Sequence, residues 1–247
     1  MTEQRLAYEA HLSHLRTEAD AFAAAIEGAL DELVPSCPGW TVRDLAEHLG
    51  DVFVFWRVQL EAADPSSPTE PESRGVPDGG DVVLFCTGAA EDLSAALAKR
   101  DSDEPCWNWS GREETGRFVA RRMALEAAVH RFDAELAIGA PTAVDRELAI
   151  DGIDERIAVH LVNDLPETPD ASLGGVICLA CSDDRAAWTL EIGSGRVRCR
   201  ASRAPADAVV VGSASDLFLF TWNRVGAELF EVTGDSDVVA GWPLLPV

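Results

Sequence analysis

Residues 34–50 read VPSCPGWTVRDLAEHLG, and this stretch passes from a loop into a helix. Pro35 ends the helical pattern before it, because proline cannot continue a helix. Thr41 has the character of an N-cap, with Asp44 in the first turn that follows. The helix predicted over residues 42–62 carries one apolar stripe, made of Leu45, Leu49, Val52 and Trp56. The stretch therefore predicts a loop at residues 36–40 and then a long amphipathic helix.

Three further helical patterns surround this stretch. Apolar residues at helical spacing predict a long first helix over residues 6–33, and helices are also predicted over residues 81–99 and 116–138. Gly139 stands where glycine commonly ends a helix. Four helices joined in this way predict an up-and-down bundle whose inner positions can hold a metal.

Residues 64–80 form the longest connection within this predicted bundle. They are rich in Pro, Ser, Glu and Gly and have no periodic pattern. Such a segment predicts an exposed loop, which could border a substrate entrance.

The pattern changes after the bundle. A further helix is predicted over residues 145–163, and Pro166 and Pro169 follow it. The rest predicts strands and one helix: strands at 175–181, 186–192, 196–201, 207–211 and 226–232, and the helix at 215–224. The sequence therefore predicts an α+β fold, with a helical bundle over residues 1–165 and a smaller α+β domain over residues 166–247. The boundary is expected near residues 165–170.

Charge and composition exclude several classes of partner. Lys and Arg number 20 against 43 Asp and Glu, so the formal net charge is -23, which repels nucleic acid and anionic lipid surfaces. No apolar run approaches the roughly 18 residues of a membrane span. The N-terminus lacks the layout of a secretory signal, so we expect a cytoplasmic protein. The six cysteines are scattered, and no disulfide framework is expected. Cys178 and Cys181 are expected to pack in a strand.

Glu126 and His130 are four residues apart on the fourth predicted helix, so they project from nearly the same side on successive turns. One divalent cation can contact both, and a catalytic site needs a third protein ligand. On position, His48 is the best third ligand, since His11 and His14 are expected on the polar part of the first helix. Asp133 is placed to hydrogen-bond an imidazole.

Two other interpretations of these residues remain open at this point. Asp44 and His48 form a competing pair with the same spacing. A histidine on a half-apolar helix face is also more often a core residue with satisfied hydrogen bonds than a metal ligand.

Longer motifs carry a family resemblance. Residues 34–50 resemble the metal-binding segment of the mycothiol-dependent maleylpyruvate isomerase family, which is part of the DinB-like helical bundles. A second similar segment, EAAVHRFDAELAIG at residues 126–139, is followed by DGIDE at residues 151–155 in the expected order. Later motifs look like the family's smaller α+β domain, of sterol-carrier-like appearance: ADA at 206–208, GSASDL at 212–217 and WNR at 222–224. Nearly the whole chain is covered.

The resemblance implies that His48, Glu126 and His130 are the metal ligands, with Zn²⁺ the preferred ion. It further implies that mycothiol is the thiol cosubstrate, held by the metal as a nucleophilic thiolate that attacks a small electrophile. An S-transferase and a maleylpyruvate-type cis-trans isomerase fit this site equally. Arg224 is the candidate catalytic residue that holds a carboxylate, because its guanidinium offers a planar fork of donors; the alternative is a surface ion pair. Cys37 is expected to pack its turn.

A non-catalytic interpretation stands beside the enzyme. In it, the bundle keeps its metal to sense or sequester a ligand, as a ligand-binding or regulatory protein. A filled fourth coordination position would favour this reading. The partners expected for the enzyme are mycothiol and a small electrophile, with no nucleic acid or membrane, and the protein is expected to be a monomer or homodimer.

Overall fold

The computed structural model describes residues 6–164, 174–193 and 196–242. These residues form two compact units, residues 6–142 and residues 143–242. The first unit is helical, and the second contains helices and one sheet. The predicted α+β class is confirmed.

Four helices make the first unit, at the places that the sequence predicts. They are α1 (Tyr8–Ile26), α2 (Val42–Ala62), α3 (Val82–Ala98) and α4 (Gly116–Ala137). The prediction for α1 is wrong at its end, because the helix stops seven residues before Leu33. Glu27 is extended and Gly28 has a φ of 74°, a left-handed conformation that glycine adopts without strain and that breaks the helix. Pro35 therefore does not end α1.

The start of α2 is held by a complete capping box. The Thr41 side chain accepts a hydrogen bond from the backbone N–H of Asp44 at 3.3 Å, and the Asp44 side chain accepts one from the Thr41 backbone at 2.8 Å. Two backbone donors at the helix start are thereby satisfied. These hydrogen bonds hold the pKa of Asp44 below its usual range.

Most of α4 is buried, including most of its charged residues. The Arg131 guanidinium donates to Glu18 on α1 and, at 2.7 Å, to Glu135 one turn further along α4. Glu135 also accepts from the Thr142 backbone N–H at 2.7 Å. Unpaired buried charges are strongly destabilising, so this network ties α1 and the segment after α4 to the centre of the unit.

The connection between α2 and α3 is mostly exposed, as predicted, but it is anchored along α2. The buried Gln59 side chain bonds to the Thr69 backbone on both sides, at 2.6 Å and 2.8 Å. The Asp51 carboxylate accepts a hydrogen bond from the Gly75 N–H at 2.5 Å. The connection therefore runs beside one face of α2.

The second unit joins a helical segment to a mixed sheet. It begins with α5 (Arg146–Glu155), widens into a π-helical turn (Arg156–Leu161) and ends in α6 (Val162–Asp164). The strands are β1 (Gly175–Cys181), β2 (Ala187–Gly193), β3 (Arg196–Arg200), β4 (Ala208–Gly212) and β5 (Glu231–Gly234). Their order is β3-β2-β1-β4-β5, with β1 and β4 parallel and the other pairs antiparallel.

Two short helices complete the second unit, α7 (Ala214–Thr221) and α8 (Ser236–Ala240). α5 packs against α7, so the compact units divide after residue 142. The predicted boundary near residues 165–170 is later, and it lies outside the described residues. The last strand was predicted over residues 226–232 but begins at Glu231, because a 3₁₀ turn (Ala227–Leu229) takes the start of that run. α8 was not predicted.

Within the described ranges, we find no helix with the length and apolar character that crossing a bilayer requires.

Removing the Thr41 side chain tests whether the capping box stabilises the start of α2. Thr41→Ala leaves the Asp44 backbone N–H without the hydroxyl that accepts from it, so the free energy of unfolding in urea should fall by about 1 kcal/mol. Thr87→Ala is the matched control, because the Thr87 hydroxyl donates only to carbonyls of its own helix α3, at 2.9 Å from Val83 O. That control should change stability by less than about 0.5 kcal/mol. Equal losses in both variants would contradict a capping role.

Candidate metal centre

α2 and α4 bring His48, Glu126 and His130 together. His48 lies in the second turn of α2, and Glu126 and His130 lie on successive turns of α4. Each offers one ligand atom, and these atoms all lie within 4.8 Å of one another. Glu126 Oε1 is 3.7 Å from His48 Nε2 and 3.3 Å from His130 Nε2. Among the residues that the structure describes, these three form the group suited to a metal ion.

The second oxygen of Glu126 faces away from the histidines. Oε2 accepts a hydrogen bond from the Arg122 guanidinium at 2.9 Å, and the Arg122 side chain is buried. Arg122 therefore fixes the rotation of the carboxylate so that Oε1 points at the two imidazoles.

Asp133 holds the other nitrogen of His130. Its Oδ2 lies 3.0 Å from His130 Nδ1, and the carboxylate is fully buried. This is the contact predicted from the spacing of the two residues. A carboxylate in this position fixes an imidazole with Nε2 free to bind a metal.

The loop before α2 closes on the same carboxylate. Ser36 Oγ donates to Asp133 Oδ1 at 2.6 Å, and Cys37 Sγ lies 3.8 Å from Oδ2. Within the loop, Val34 N–H donates to Trp40 O at 2.9 Å. The sequence reasoning missed Ser36, because its partner is 97 residues away and no local pattern connects them. Cys37 is part of this turn.

Aromatic packing sets the positions of the two histidines. The Trp40 and His48 rings are 5.2 Å apart at 64°, and the His48 and His130 rings are 5.2 Å apart at 87°. Edge-to-face arrangements of this kind are favourable. Trp40 therefore makes the loop one wall of the site.

Asp44, the competing partner of His48, is occupied elsewhere. Its carboxylate accepts hydrogen bonds from the Thr41 backbone at 2.8 Å and from the Thr41 hydroxyl at 2.6 Å. It is exposed and is not part of the group of ligand atoms.

The electrostatics of the group favour opposite charges on Glu126 and His130. Burial alone would raise the pKa of Glu126, but hydrogen bonds from His130 and His48, with the Arg122 charge, hold it well below the usual range. Burial would lower the pKa of His130, but Asp133 and Glu126 outweigh it and raise this pKa to about 9. In the absence of a metal ion, protonated His130 therefore supplies the positive charge beside the carboxylates of Glu126 and Asp133.

The donor set fits a zinc-like ion. Two imidazole nitrogens and one carboxylate oxygen are ligands that Zn²⁺ accepts, with bonds near 2.0–2.2 Å. Donors at two corners of a tetrahedron of that size lie about 3.3–3.6 Å apart. The separations of 3.3 Å and 3.7 Å from Glu126 Oε1 are close to this requirement. Three protein donors leave one position of a tetrahedral ion for another ligand.

The remaining histidines have other surroundings. His11 is buried, so the expectation that it lies on the polar part of α1 is wrong. Its side chain faces the core because α1 buries every third or fourth residue along this stretch. His14 is half-buried on the same helix, and His160 contacts Trp222 in the second unit, with ring centroids 4.9 Å apart.

Arg224 lies in the turn after α7 of the second unit. Its Nη1 donates to Trp222 O at 2.9 Å, and Asn223 before it has a φ of 58°. Arg156 supports this turn, since its guanidinium lies 4.6 Å from the Trp222 ring centroid and its Nε donates to Thr221 O at 3.1 Å. The turn is therefore held by buried groups of its own unit.

All six cysteines lie among the described residues, and none of them forms a disulfide. Cys178 and Cys181 lie in β1, as expected, and Cys178 is fully buried. Burial and nearby acidic residues raise the pKa of Cys181 to about 12. Such thiols are poor nucleophiles.

Asp133→Asn tests the support of His130. The substitution keeps the size of the side chain and removes the charge that orients the imidazole, so affinity for Zn²⁺ should fall about 10- to 100-fold. Competition with a chromophoric chelator measures this affinity. Asp92→Asn, at an exposed position on α3, is the control and should bind as the wild type does. Unchanged affinity in Asp133→Asn would rule out this role.

Proton release on metal binding provides a second test. With a pKa of about 9, His130 carries a proton near neutral pH, and a metal ion must displace it. Calorimetry in buffers of different ionisation enthalpy should find about one proton released per Zn²⁺ near pH 7. Apparent affinity should rise as pH increases toward 9 and then level off. Binding without proton release would contradict the protonated state of His130.

The chain is similar to known proteins in sequence and in fold. Residues 12–135 match the family model of the mycothiol maleylpyruvate isomerase N-terminal domain. A crystal structure of the mycothiol-dependent maleylpyruvate isomerase has a TM-score of 0.65 at 14% identity, covering 92% of this chain and 93% of that chain. A histidine-to-alanine mutant of that enzyme has a TM-score of 0.64 at 13% identity, with the same coverage. These likenesses show the fold. No curated protein matches in sequence. The chain belongs to the mycothiol maleylpyruvate isomerase N-terminal domain family.

Proposed function

We propose that the protein is a metal-dependent enzyme that activates a low-molecular-weight thiol, mycothiol, for attack on a small electrophile. The observation that carries the proposal is the convergence of His48, Glu126 and His130, whose ligand atoms all lie within 4.8 Å of one another. Family membership supports mycothiol as the thiol. The two similar structures are both of the mycothiol-dependent maleylpyruvate isomerase.

His48, Glu126 and His130 would hold the ion, and Zn²⁺ is the preferred one. When bound, a divalent cation supplies the positive charge that lowers the pKa of a thiol and keeps it as a thiolate. The two imidazoles are neutral ligands and Glu126 contributes a single negative charge. The set therefore leaves excess positive charge for a second anion.

The surrounding residues orient this set. Arg122 holds Oε2 of Glu126 at 2.9 Å, so that Oε1 stays directed at the two histidines. Asp133 holds Nδ1 of His130 at 3.0 Å and keeps Nε2 available. Trp40 packs against the His48 ring and limits its movement. These contacts prepare the donors before any ligand arrives.

The reaction is an S-transfer to the electrophile or a maleylpyruvate-type cis-trans isomerisation. In a transfer, the sulfur stays on the product, whereas in an isomerisation it adds to a double bond and leaves again. The donor set serves both. We further propose that Arg224 binds a carboxylate, because its guanidinium presents paired donors. The enzyme is proposed to act in the cytoplasm as a monomer or homodimer.

Metal analysis of the purified protein beside His130→Ala tests the proposal. The wild type should hold about one metal ion per chain, and His130→Ala should lose it, because two donors rarely retain Zn²⁺. His14→Ala is the matched control, since it removes a histidine that lies on α1 outside the donor group. That variant should keep the metal.

Addition of mycothiol to cobalt-substituted protein then tests thiol activation. Thiolate ligation should produce a sulfur-to-cobalt charge-transfer band in the wild type. A bound metal without this band would overturn thiol activation and favour the sensing or ligand-binding role. Absence of metal from both proteins would overturn the site itself.

A further inference from the structure

Five aromatic rings form a cluster within the helical unit. We call Phe55, Trp56, Trp107, Trp109 and Phe118 the aromatic cluster. Trp56 lies at its centre, with ring centroids 6.4 Å from Trp107, 5.7 Å from Trp109 and 5.9 Å from Phe118. Trp109 is 41% exposed, and Phe55 and Trp107 are half-buried. The cluster therefore has an open side as well as a buried one.

The turn that carries Trp107 and Trp109 is held by its own hydrogen bonds. Asn108, between them, is buried, and its Oδ1 accepts from the Ser110 N–H at 2.9 Å. Its Nδ2 donates to Arg112 O at 2.9 Å. Cys106 N–H donates to Glu114 O at 2.9 Å and closes the base of the turn. The positions of Trp107 and Trp109 thus do not depend on a ligand.

Helix geometry places the aromatic cluster in line with the metal centre. On α2, His48, Asp51 and Phe55 follow one another on one face, and on α4 the same is true of Phe118, Arg122 and Glu126. At 1.5 Å per residue, the seven residues from His48 to Phe55 span about 10 Å, and the eight from Phe118 to Glu126 about 12 Å. Both helices therefore connect the metal centre to the aromatic cluster along matching faces.

Arg74 places a positive charge beside the aromatic cluster. The α2–α3 connection brings Arg74 over the Phe55 ring, with Cζ 5.8 Å from the centroid. Gly75 next to it is held by Asp51 at 2.5 Å. Arg74 pairs with Glu70 at 2.6 Å, but both side chains are largely exposed. Exposed pairs of this kind are weak, so an anion can displace Glu70 at little cost.

We propose that the aromatic cluster and Arg74 bind a planar, conjugated and anionic part of the electrophile, about 10 Å from the atom that reacts. This inference rests on the proposed function and names the substrate class. Ring faces favour planar π systems, and the guanidinium favours a carboxylate or sulfonate at their edge. In a chain with a net charge of -23, a cation beside exposed rings favours an anion locally.

Binding of anilinonaphthalene sulfonate to the metal-free full chain tests the site without requiring metal, thiol or turnover. Its fluorescence on titration gives the affinity. Trp109→Ala should weaken binding about tenfold through loss of ring stacking, and Trp109→Phe should recover most of it. Arg74→Gln should weaken binding of the sulfonate about threefold and leave the neutral analogue phenylnaphthylamine unaffected. Leu84→Ala removes a side chain that is 72% exposed on α3 and should change neither affinity.

Equal affinities in wild type, Trp109→Ala and Arg74→Gln would overturn the inference, as would an equal loss in Leu84→Ala. If Arg74→Gln weakened the binding of the sulfonate and of the neutral probe equally, the proposed selection for anions would be overturned. Circular dichroism of each variant identifies any loss of fold, and Trp109→Phe tests the ring even if Trp109→Ala unfolds. A failure of thiol ligation in the cobalt experiment would leave these affinities unchanged, so the two proposals fail separately.

Discussion

The pairing of buried charges on α4 is the constraint on which the helical unit depends. This helix carries arginine, glutamate, aspartate and histidine into the interior, where an unpaired charge is strongly destabilising. Besides pairs within α4, these groups have partners from three other parts of the chain: Glu18 from α1, Ser36 from the loop before α2, and His48 from α2. Satisfying these groups therefore fixes how the elements of the unit assemble around α4.

Two carboxylates of α4, Asp133 and Glu126, contact both the surrounding fold and the proposed metal ligands. Asp133 holds the loop through Ser36 with one oxygen and His130 with the other. Glu126 likewise divides its oxygens between Arg122 and the histidines. Each carboxylate thus has one contact that belongs to the fold and one that belongs to the donor group. A displacement of the loop would be transmitted to the imidazole within one residue, because the two contacts share a side chain.

Local chemistry made much of this predictable from the sequence. The capping signal at Thr41 and the periodic apolar stripes gave the bounds of α2, α3 and α4, and the four-residue spacing of Glu126 and His130 gave two of the donors. What depends on distant contacts was missed. The hydrogen bond of Ser36 to Asp133 and the anchoring of the α2–α3 connection by Gln59 have no local pattern. The end of α1 was misjudged, because the apolar spacing continues past the break at Gly28.

The turn built around Asn108 has a consequence for how such proteins diverge. Because its hydrogen bonds are internal, the residues at its tip can be exchanged without disturbing the helices that carry the donor group. Duplicated copies of a gene with this arrangement can drift in the tip alone, while the inherited reaction chemistry is retained. A lineage can in this way acquire new substrates through a few substitutions in one short segment.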